Sequence, residues 1–416
     1  MKASVFTLGC KVNTYESQYM VSLLINHGYE ITDFHDICDI YIINTCTVTN
    51  NSDNKSKKMI EQAKKRNQNA LIIVCGCFVE SNKDYGFEGV DVVIGNYHKS
   101  DIISLIEEAR SNKTQIIKKP NILDVPFENM NLSEFSNQTR AFIKIQDGCN
   151  NYCSFCIIPY VRGNCRSKKR EDVINEIKTF ITNGYKEIVL TGIHTGNYGV
   201  ELGSSFSSLL EEILETTTIE RVRISSIEAT ELDDHFFKLL LDARICNHLH
   251  IPLQSGSDSV LNRMNRKYNK NKFRDIISKI RSVRPDVSIT TDVIVGFPEE
   301  TSEEFIETIN FIKEINFSKI HVFPYSKRDG TVAAKMLQID NVTKKQRVKE
   351  LISLSDELEK KYKDQFINKI CSVLIEKTIN GYSYGHTTNY LYLKINKVLE
   401  KNKIYDIRIT KNMIKE

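Results

Sequence analysis

The chain has 416 residues, 41% of them hydrophobic and 26% charged, with a formal net charge of +4. This is the composition of an ordinary globular protein of two or three domains, and it excludes a disordered or fibrous chain. No stretch approaches the ~18 consecutive apolar residues of a membrane span. The N-terminal "MKASVFTLGCKVN" lacks the apolar core and cleavage site of a secretory signal. The expected compartment is therefore the cytoplasm, where eleven cysteines point to metal or catalytic thiols rather than disulfides.

Along the first segment, short β-branched runs at 4–10, 39–46, 69–77 and 90–95 alternate with helical patterns at 15–27, 52–66 and 99–110. Buried parallel strands read this way, so residues 1–115 are expected to form an open parallel α/β sheet. Residues 111–139 are polar and irregular, with Pro120, Pro126 and many asparagines. The linker is placed at 116–138.

A second alternation follows. Strand candidates at 141–146, 187–192, 221–227, 248–254, 288–297 and 319–325 are separated by helical patterns at 171–183, 206–216, 232–244, 270–283 and 302–315. Six β/α units predict a partial (β/α)6 barrel over 139–367, with function at the C-terminal ends of the strands, closed by a long amphipathic helix near 343–367. Residues 368–416 carry short alternating strands, "YLYLKIN" and "IYDIRIT", joined by Gly and Asn turns, and fit a small antiparallel β-barrel. Charge is uneven: residues 341–416 hold 16 Lys and Arg against 9 Asp and Glu, the first 340 hold 41 against 44. A basic C-terminal end suits a polyanion such as RNA, and equally a solvated helix face.

"DGCNNYCSFCIIP" (147–159) sets Cys149, Cys153 and Cys156 in a C-x3-C-x2-C spacing just past the first barrel strand. Thiolates are soft ligands that select iron–sulfur clusters, zinc or copper(I). A zinc site would need a fourth ligand elsewhere, for which His194 is the candidate. The N-terminal cysteines have no local spacing, but Cys10, Cys46 and Cys77 each end a predicted parallel strand. Ligands gather outside the carboxyl ends of such strands, so three thiolates can converge there. The plain alternative is three small buried hydrophobes. In "VCGCF" Cys75 competes with Cys77, since residues i and i+2 of a strand share a face. Cys77 is preferred because it follows the glycine.

The triplet with Phe155 before its last cysteine resembles the signature of the radical S-adenosylmethionine (SAM) superfamily. That resemblance implies a [4Fe–4S] cluster on Cys149, Cys153 and Cys156 whose fourth iron chelates SAM. "TLGCKVNTYES", "INTCTVTN", "CGC", "EIVLTGIHTGNYG", "RISSIEA", "HLHIPLQSGS", "TDVIVGFP" and "HVFPYSKRDGT" follow the order of the methylthiotransferase family over nearly the whole chain. They look most similar to the branch acting on N6-threonylcarbamoyladenosine at position 37 of tRNA. Two departures stand out: Glu299 replaces a glycine of the family in "GFPEET", which predicts a reshaped turn, and the C-terminal segment is a short version of the family's RNA-gripping TRAM domain.

The resemblance implies a second [4Fe–4S] cluster on Cys10, Cys46 and Cys77, and insertion of a methylthio group at C2 of the adenine. That carbon is an unactivated aromatic C–H, which no side chain can substitute, so the hard step belongs to a cofactor radical. SAM contacts are expected near Thr191 and Gly192 of "TGIHTG" and Ser225 and Glu228 of "RISSIEA", with Gln254 and Ser255 at the next strand mouth. Arg162 and Arg166, in a basic loop beside the triplet, are expected to meet a carboxylate or an RNA phosphate. Asn389, Tyr384, Tyr390 and Tyr392 are candidate RNA contacts. The implied partners are a tRNA anticodon stem-loop and an electron donor such as flavodoxin or ferredoxin. The rival readings are the isopentenyl-adenosine branch, a ribosomal protein side chain as substrate, and a non-catalytic RNA-binding protein with structural metal.

Overall fold

The computed structural model describes residues 1–82, 86–112, 114–135 and 138–415. The first part runs β1 (Lys2–Thr7), α1 (Lys11–Asn26), β2 (Glu30–Ile31), β3 (Ile40–Thr45), α2 (Asn50–Arg66), β4 (Leu71–Gly76), α3 (Cys77–Ser81), β5 (Val92–Ile94), α4 (Ile102–Ser111) and β6 (Ile116–Lys118). The strands lie in the order β2-β1-β3-β4-β5-β6, every pair parallel. β3 is buried along its whole length, which is why its sequence shows no polar alternation: helices cover both faces. Met20 and Leu24 of α1 and Leu105 and Ile106 of α4 pack on Ile40, Ile42 and Ile73, while Ile60 and Ala63 of α2 pack on Tyr41, Ile43 and Val74. α2 starts where Thr49 caps the Ser52 amide and ends with Lys64, Lys65 and Arg66 in its last turn, the charge order a helix dipole favours.

The stretch read as a linker is partly structure. Ile116–Lys118 adds the sixth strand, and Ile122, Met130, Leu132 and Phe135 are buried. A three-residue strand is too short to show a period, so the sequence carried no signal for it. Residues 136 and 137 of that stretch lie outside the described residues.

The chain continues through β7 (Arg140–Lys144), β8 (Gln146–Asp147), α5 (Ile158–Arg162), β9 (Arg166–Ser167), α6 (Arg170–Thr182), β10 (Glu187–Thr191), α7 (Phe206–Thr216), β11 (Arg221–Ile224), α8 (Asp234–Leu239), β12 (His248–His250), α9 (Asp258–Arg263), α10 (Lys270–Val283), β13 (Ser288–Val295), α11 (Ser302–Ile315), β14 (Lys319–Pro324) and α12 (Asn341–Asp364). It ends in β15 (Ile370–Ile379), β16 (Tyr382–Thr387), β17 (Tyr392–Ile395) and β18 (Ile404–Arg408). Two three-stranded sheets form, β11-β10-β7 and β12-β13-β14. Parallel bridges Val222–Ile245 and Ser226–His250 connect the β11 segment to the β12 segment. The last four strands make an antiparallel sheet, β17-β16-β15-β18, around Val373, Ile375, Leu393, Ile395 and Ile409.

By contacts the chain divides into two compact units. One holds Met1–Leu132, Lys144–Lys169 and Ser326–Thr331; the other holds Ser133–Ile143, Arg170–Tyr325 and Val332–Glu416. Both cysteine sets fall in the first.

The turn at "GFPEET" keeps the conformation a glycine would have. Glu299 sits at φ +65°, its amide bonded to the Leu337 carbonyl at 3.1 Å. Glu299 thus takes the left-handed conformation that ordinarily favours glycine.

Candidate functional site

Cys10, Cys46 and Cys77 follow the C-terminal ends of β1, β3 and β4, three neighbours in the sheet. Cys10 is the N-cap of α1, Cys46 comes straight after Thr45, and Cys77 opens α3. Two glycines let these ends close together. At Gly9 (φ +101°) a Cβ would lie 2.9 Å from both Cβ and Sγ of Cys46, and at Gly76 (φ +100°) 2.6 Å from the Thr45 carbonyl oxygen. The Asn13 amide ties the same ends, donating to Leu8 O at 2.7 Å and Thr45 O at 3.0 Å.

Cys46 and Cys77 are buried and Cys10 is exposed. Burial pushes the Cys46 thiol up to about 11, and the nearby thiols of Cys77 and Cys10 add to it. Cys75 is separated from Cys77 by the Gly76 turn. It packs with Ile73, Ile94 and Ile102 in the sheet core, and burial raises its thiol to about 12, the state of an inert cysteine. Cys77 instead packs on Ile157 and Val161 and accepts a hydrogen bond from Asn96 Nδ2 at 3.4 Å.

That packing carries the second set. Ile157 and Val161 belong to the segment just past Cys156, and Asn96 Nδ2 also donates to the Val161 carbonyl at 2.7 Å. Cys149, Cys153 and Cys156 are half-buried on a loop pinned at both ends. The Cys149 amide donates to Gly163 O at 3.0 Å and the Cys156 amide to Cys153 O at 2.9 Å. At Gly148 (φ +73°) a Cβ would meet Asn164 O at 1.9 Å, so only glycine fits. Among the described residues no three His, Cys, Asp or Glu side chains close to the ligand set of a single metal ion. Each set consists of three thiols, soft donors of the kind taken by iron–sulfur clusters, zinc or copper(I).

Sequence reasoning missed what lies behind the cysteines. Arg162 is fully buried. Rather than a solvent-borne carboxylate or phosphate, it meets two carboxylates of the protein: Nη1 donates to Glu16 Oε1 at 3.0 Å and Asp147 Oδ1 at 2.9 Å, and Nη2 donates to Asn13 Oδ1 and Glu16 Oε2. Glu16 also pairs with Lys99 and with Lys144 at 2.7 Å; Asp147 also pairs with Lys144 at 2.7 Å and Arg166 at 3.4 Å. Burial opposes ionisation of Glu16, but Arg162, Lys144 and Lys99 together hold its carboxyl well below the usual range. Asp147 is depressed in the same way: burial raises it, and Arg162, Lys144 and Arg166 together outweigh that. A signal did exist: Asn13, Glu16, Ser17, Met20 and Leu24 share the buried face of α1, and polar residues on such a stripe call for buried partners.

Thr191, Gly192, Ser225 and Glu228 lie in the other unit, at the ends of β10 and β11. Thr191 and Ser225 are buried, and Ser225 Oγ lies 3.2 Å from Thr195 Oγ1. Glu228 caps a short 3-10 turn in a reciprocal box with Glu231 and pairs with Arg266. His194, the candidate fourth zinc ligand, is paired with Glu231. Gln254 takes a left-handed φ of +67°, and Ser255 Oγ lies 3.2 Å from Thr308 Oγ1.

Of the expected RNA contacts, Asn389 is turned inward, while Tyr390 stays exposed and packs on one side only. Asn389 is buried and donates to Tyr362 Oη at 3.2 Å. The Tyr390 ring stacks on His248 at 4.8 Å, with the Arg223 guanidinium 4.7 Å from its centroid. Tyr384 and Tyr392 do share a half-buried face, stacked at 6.1 Å, with Lys377 over Tyr384 and Lys394 over Tyr382.

Residues 143–312 match the radical SAM superfamily model, and residues 2–95 match that of the uncharacterized protein family UPF0004. The chain is 44% identical over 397 residues to the threonylcarbamoyladenosine tRNA methylthiotransferase MtaB of Bacillus subtilis, covering 92% of this chain and 88% of that one. It is 36% identical to the tRNA-2-methylthio-N(6)-dimethylallyladenosine synthase of a Thermoanaerobacter species, covering 89% and 81%. Its fold is similar to that of the radical S-adenosylmethionine methyltransferase TsrM of Kitasatospora setae, at a TM-score of 0.60 and 12% identity over 80% of this chain and 76% of that one.

Proposed function

The chain belongs to the threonylcarbamoyladenosine tRNA methylthiotransferases, radical SAM enzymes, and we propose from this a specific division of labour among its residues. Its activity is transfer of a methylthio group to C2 of N6-threonylcarbamoyladenosine 37 of tRNA. The observation that carries this is identity of 35–44% to several such enzymes over nearly the whole chain.

In our reading Cys149, Cys153 and Cys156 hold the [4Fe–4S] cluster that binds SAM, and Cys10, Cys46 and Cys77 hold a second. The cluster-bound SAM, once reduced, supplies the radical that an unactivated C–H requires. The residues of the chain do the rest. Gly9, Gly76 and Gly148 let the thiol-bearing turns approach. Asn96 steadies the Cys77 sulfur and the α5 carbonyl together. Thr191, Gly192, Ser225 and Glu228 are assigned to the SAM side, at strand ends where such folds bind ligands. The six strands β7, β10, β11, β12, β13 and β14 are read as a partial barrel, supported by the parallel bridges that connect the β11 and β12 segments.

The C-terminal sheet is read as a TRAM-like RNA-binding domain. Its half-buried tyrosines interleaved with Lys377 and Lys394 offer stacking surfaces and phosphate-seeking charge. No helix among the described residues is long and apolar enough to cross a membrane. A cytoplasmic site of action, with flavodoxin or ferredoxin as electron donor, completes the proposal.

The test is nucleoside mass spectrometry on tRNA from a host stripped of its own methylthiotransferases and expressing this chain, with Cys149→Ala as control. A methylthio adduct on threonylcarbamoyladenosine, absent from the control, is the expected result. An adduct on the isopentenyl nucleoside would move the chain to the branch of its 36%-identical relative. No adduct from a chain loaded with iron and sulfide would bring forward a ribosomal protein substrate.

A further inference from the structure

We infer that Arg162 is a positioning residue for the pair of clusters. From the last turn of α5 it fastens the strand ends bearing Cys10 and Cys46 to the loop bearing Cys149, and it holds a positive charge beside Cys10 and Cys77. This rests on the two-cluster reading above.

The connection can be followed atom by atom. Asn13 Nδ2 holds Leu8 O and Thr45 O, which immediately precede Gly9–Cys10 and Cys46. Asn13 Oδ1 accepts from Arg162 Nη2. Arg162 Nη1 donates to Asp147 Oδ1 at 2.9 Å. The same Asp147 oxygen accepts from the Gly148 amide at 2.8 Å, and Cys149 is the next residue. Asn13, Glu16, Asp147 and Arg162 are all at most 2% exposed, so no link is loosened by water. A guanidinium grips such partners as a rigid planar fork, whereas a lysine is a point charge on a flexible stem.

Stability alone is a poor reason for this arrangement. Four cations, Lys99, Lys144, Arg162 and Arg166, share the two carboxylates of Glu16 and Asp147. Glu128 and Glu80 lie near Lys99, one bonded to Ser100 and the other to the Asn96 amide, and Glu80 also feels the Arg162 charge, though weakly. Buried ion networks are weak contributors to net stability. The Arg162 Nε–H is buried without an acceptor. Cys10 Sγ lies 3.9 Å from the same Asn13 Oδ1 that accepts from Arg162, and after Asp147 and Glu16 the neighbours that most favour the charge on Arg162 are the sulfurs of Cys77 and Cys10. Thiolates carrying a cluster are the anions this cation lacks, and nearby charge is one of the means by which a protein sets a cluster's reduction potential.

The experiment uses the full chain, reconstituted anaerobically, as wild type, Arg162→Gln and Arg162→Lys. Iron and sulfide are counted, and the dipolar interaction between the two reduced clusters is read by pulsed EPR. The potential of the N-terminal cluster is titrated in each chain with Cys149, Cys153 and Cys156 all changed to alanine. Arg162→Gln is expected to lower that potential, because a cation is lost, and to alter the dipolar interaction. SAM cleavage should survive while methylthio product per 5′-deoxyadenosine falls about a hundredfold, the scale of a small misplacement at a reacting centre. Arg162→Lys should keep the potential and still alter the interaction. Wild-type potential and interaction in a folded, iron-loaded Arg162→Gln would overturn the inference. If that variant does not fold, an unaltered interaction in Arg162→Lys would overturn it. Iron for a single cluster in the wild type would instead overturn the two-cluster reading.

Discussion

The two cysteine sets are made by opposite means. Cys149, Cys153 and Cys156 lie on one loop and stay half-buried; they are close because they are close in sequence. Cys10, Cys46 and Cys77 are brought together by strand order, β1 beside β3 beside β4, and two of them are buried. The first set needs only a glycine turn and two backbone hydrogen bonds. The second is a property of the whole sheet and of the glycines that let its edges meet. A loop motif survives a loosened sheet, whereas a distributed site does not, so damage to the N-terminal core should disarm the second set first.

The largest effect separates the sets directly. Cys149→Ala should abolish both SAM cleavage and methylthio transfer. Cys46→Ala should abolish transfer and leave reductive SAM cleavage, read as 5′-deoxyadenosine, within a few-fold of wild type. Bound iron should fall in each from about eight to about four per chain, as expected for two cubane clusters. Loss of SAM cleavage in Cys46→Ala would mean that the two sets form one cooperative site. Cys75→Ala is the companion control: its thiol is packed in the core, so iron and activity should be kept.

Next comes the buried network. Glu16→Ala leaves Lys99, Lys144 and Arg162 without their shared carboxylate and should cost about 3–5 kcal/mol, the scale for breaking a buried ion pair, measured as a shift in denaturation midpoint. Its pH dependence has a definite sign. The Glu16 and Asp147 carboxyls are held below their ordinary range, so their contribution is fully present above the unfolded values near about 4 and is lost as pH falls toward the folded ones. Glu16→Gln should flatten that acid limb. An unchanged limb would show that Glu16 is not a source of it.

The contrast also explains what could be read from the amino-acid sequence. β3 and β4 are apolar runs covered on both faces, and their ends, with Cys46 and Cys77, follow from that pattern. The C-x3-C-x2-C loop is local and was legible at once. β6 is three residues long and α3 five, below the length at which either period shows. Asn13, Glu16 and Asp147 escaped because their partners lie far along the chain. Glu16 and Arg162 are 146 residues apart, and no local pattern pairs them. The packing of Tyr390 was illegible for a related reason: it lies between β16 and β17 at φ +71°, and its ring meets His248, Arg223 and Arg140 from other elements.

That packing yields a smaller prediction on the RNA side. Tyr390→Ala should destabilise the fold by about 2 kcal/mol, under the usual cost of a buried aromatic because the ring keeps 38% of its surface exposed, with little effect on tRNA affinity. Tyr384→Ala should do the reverse, weakening tRNA binding by about 1–3 kcal/mol, the range for a lost base–aromatic stack. Filter binding and thermal melts on the same two variants distinguish them. Equal losses of affinity would return Tyr390 to the RNA surface.

The smallest effect tests fold against local sequence at a single residue. Glu299 holds φ +65° in a turn tied down by hydrogen bonds. Its amide is bonded to Leu337 O at 3.1 Å and its carbonyl accepts from Arg263 at 3.4 Å. The next residue, Glu300, bonds the Gly296 amide at 2.7 Å and Arg347 at 2.6 Å. A left-handed conformation costs a residue bearing a Cβ about 1–2 kcal/mol, and glycine escapes that cost while losing about 0.5–1 kcal/mol more backbone entropy on folding. The strain outweighs the entropy. Glu299→Gly should therefore stabilise the chain by up to about 1 kcal/mol, seen as a higher denaturation midpoint with unchanged iron content. A lower midpoint would mean that the exposed Glu299 side chain contributes more than the strain it imposes, and that this turn is governed by its own residue rather than by the hydrogen bonds around it.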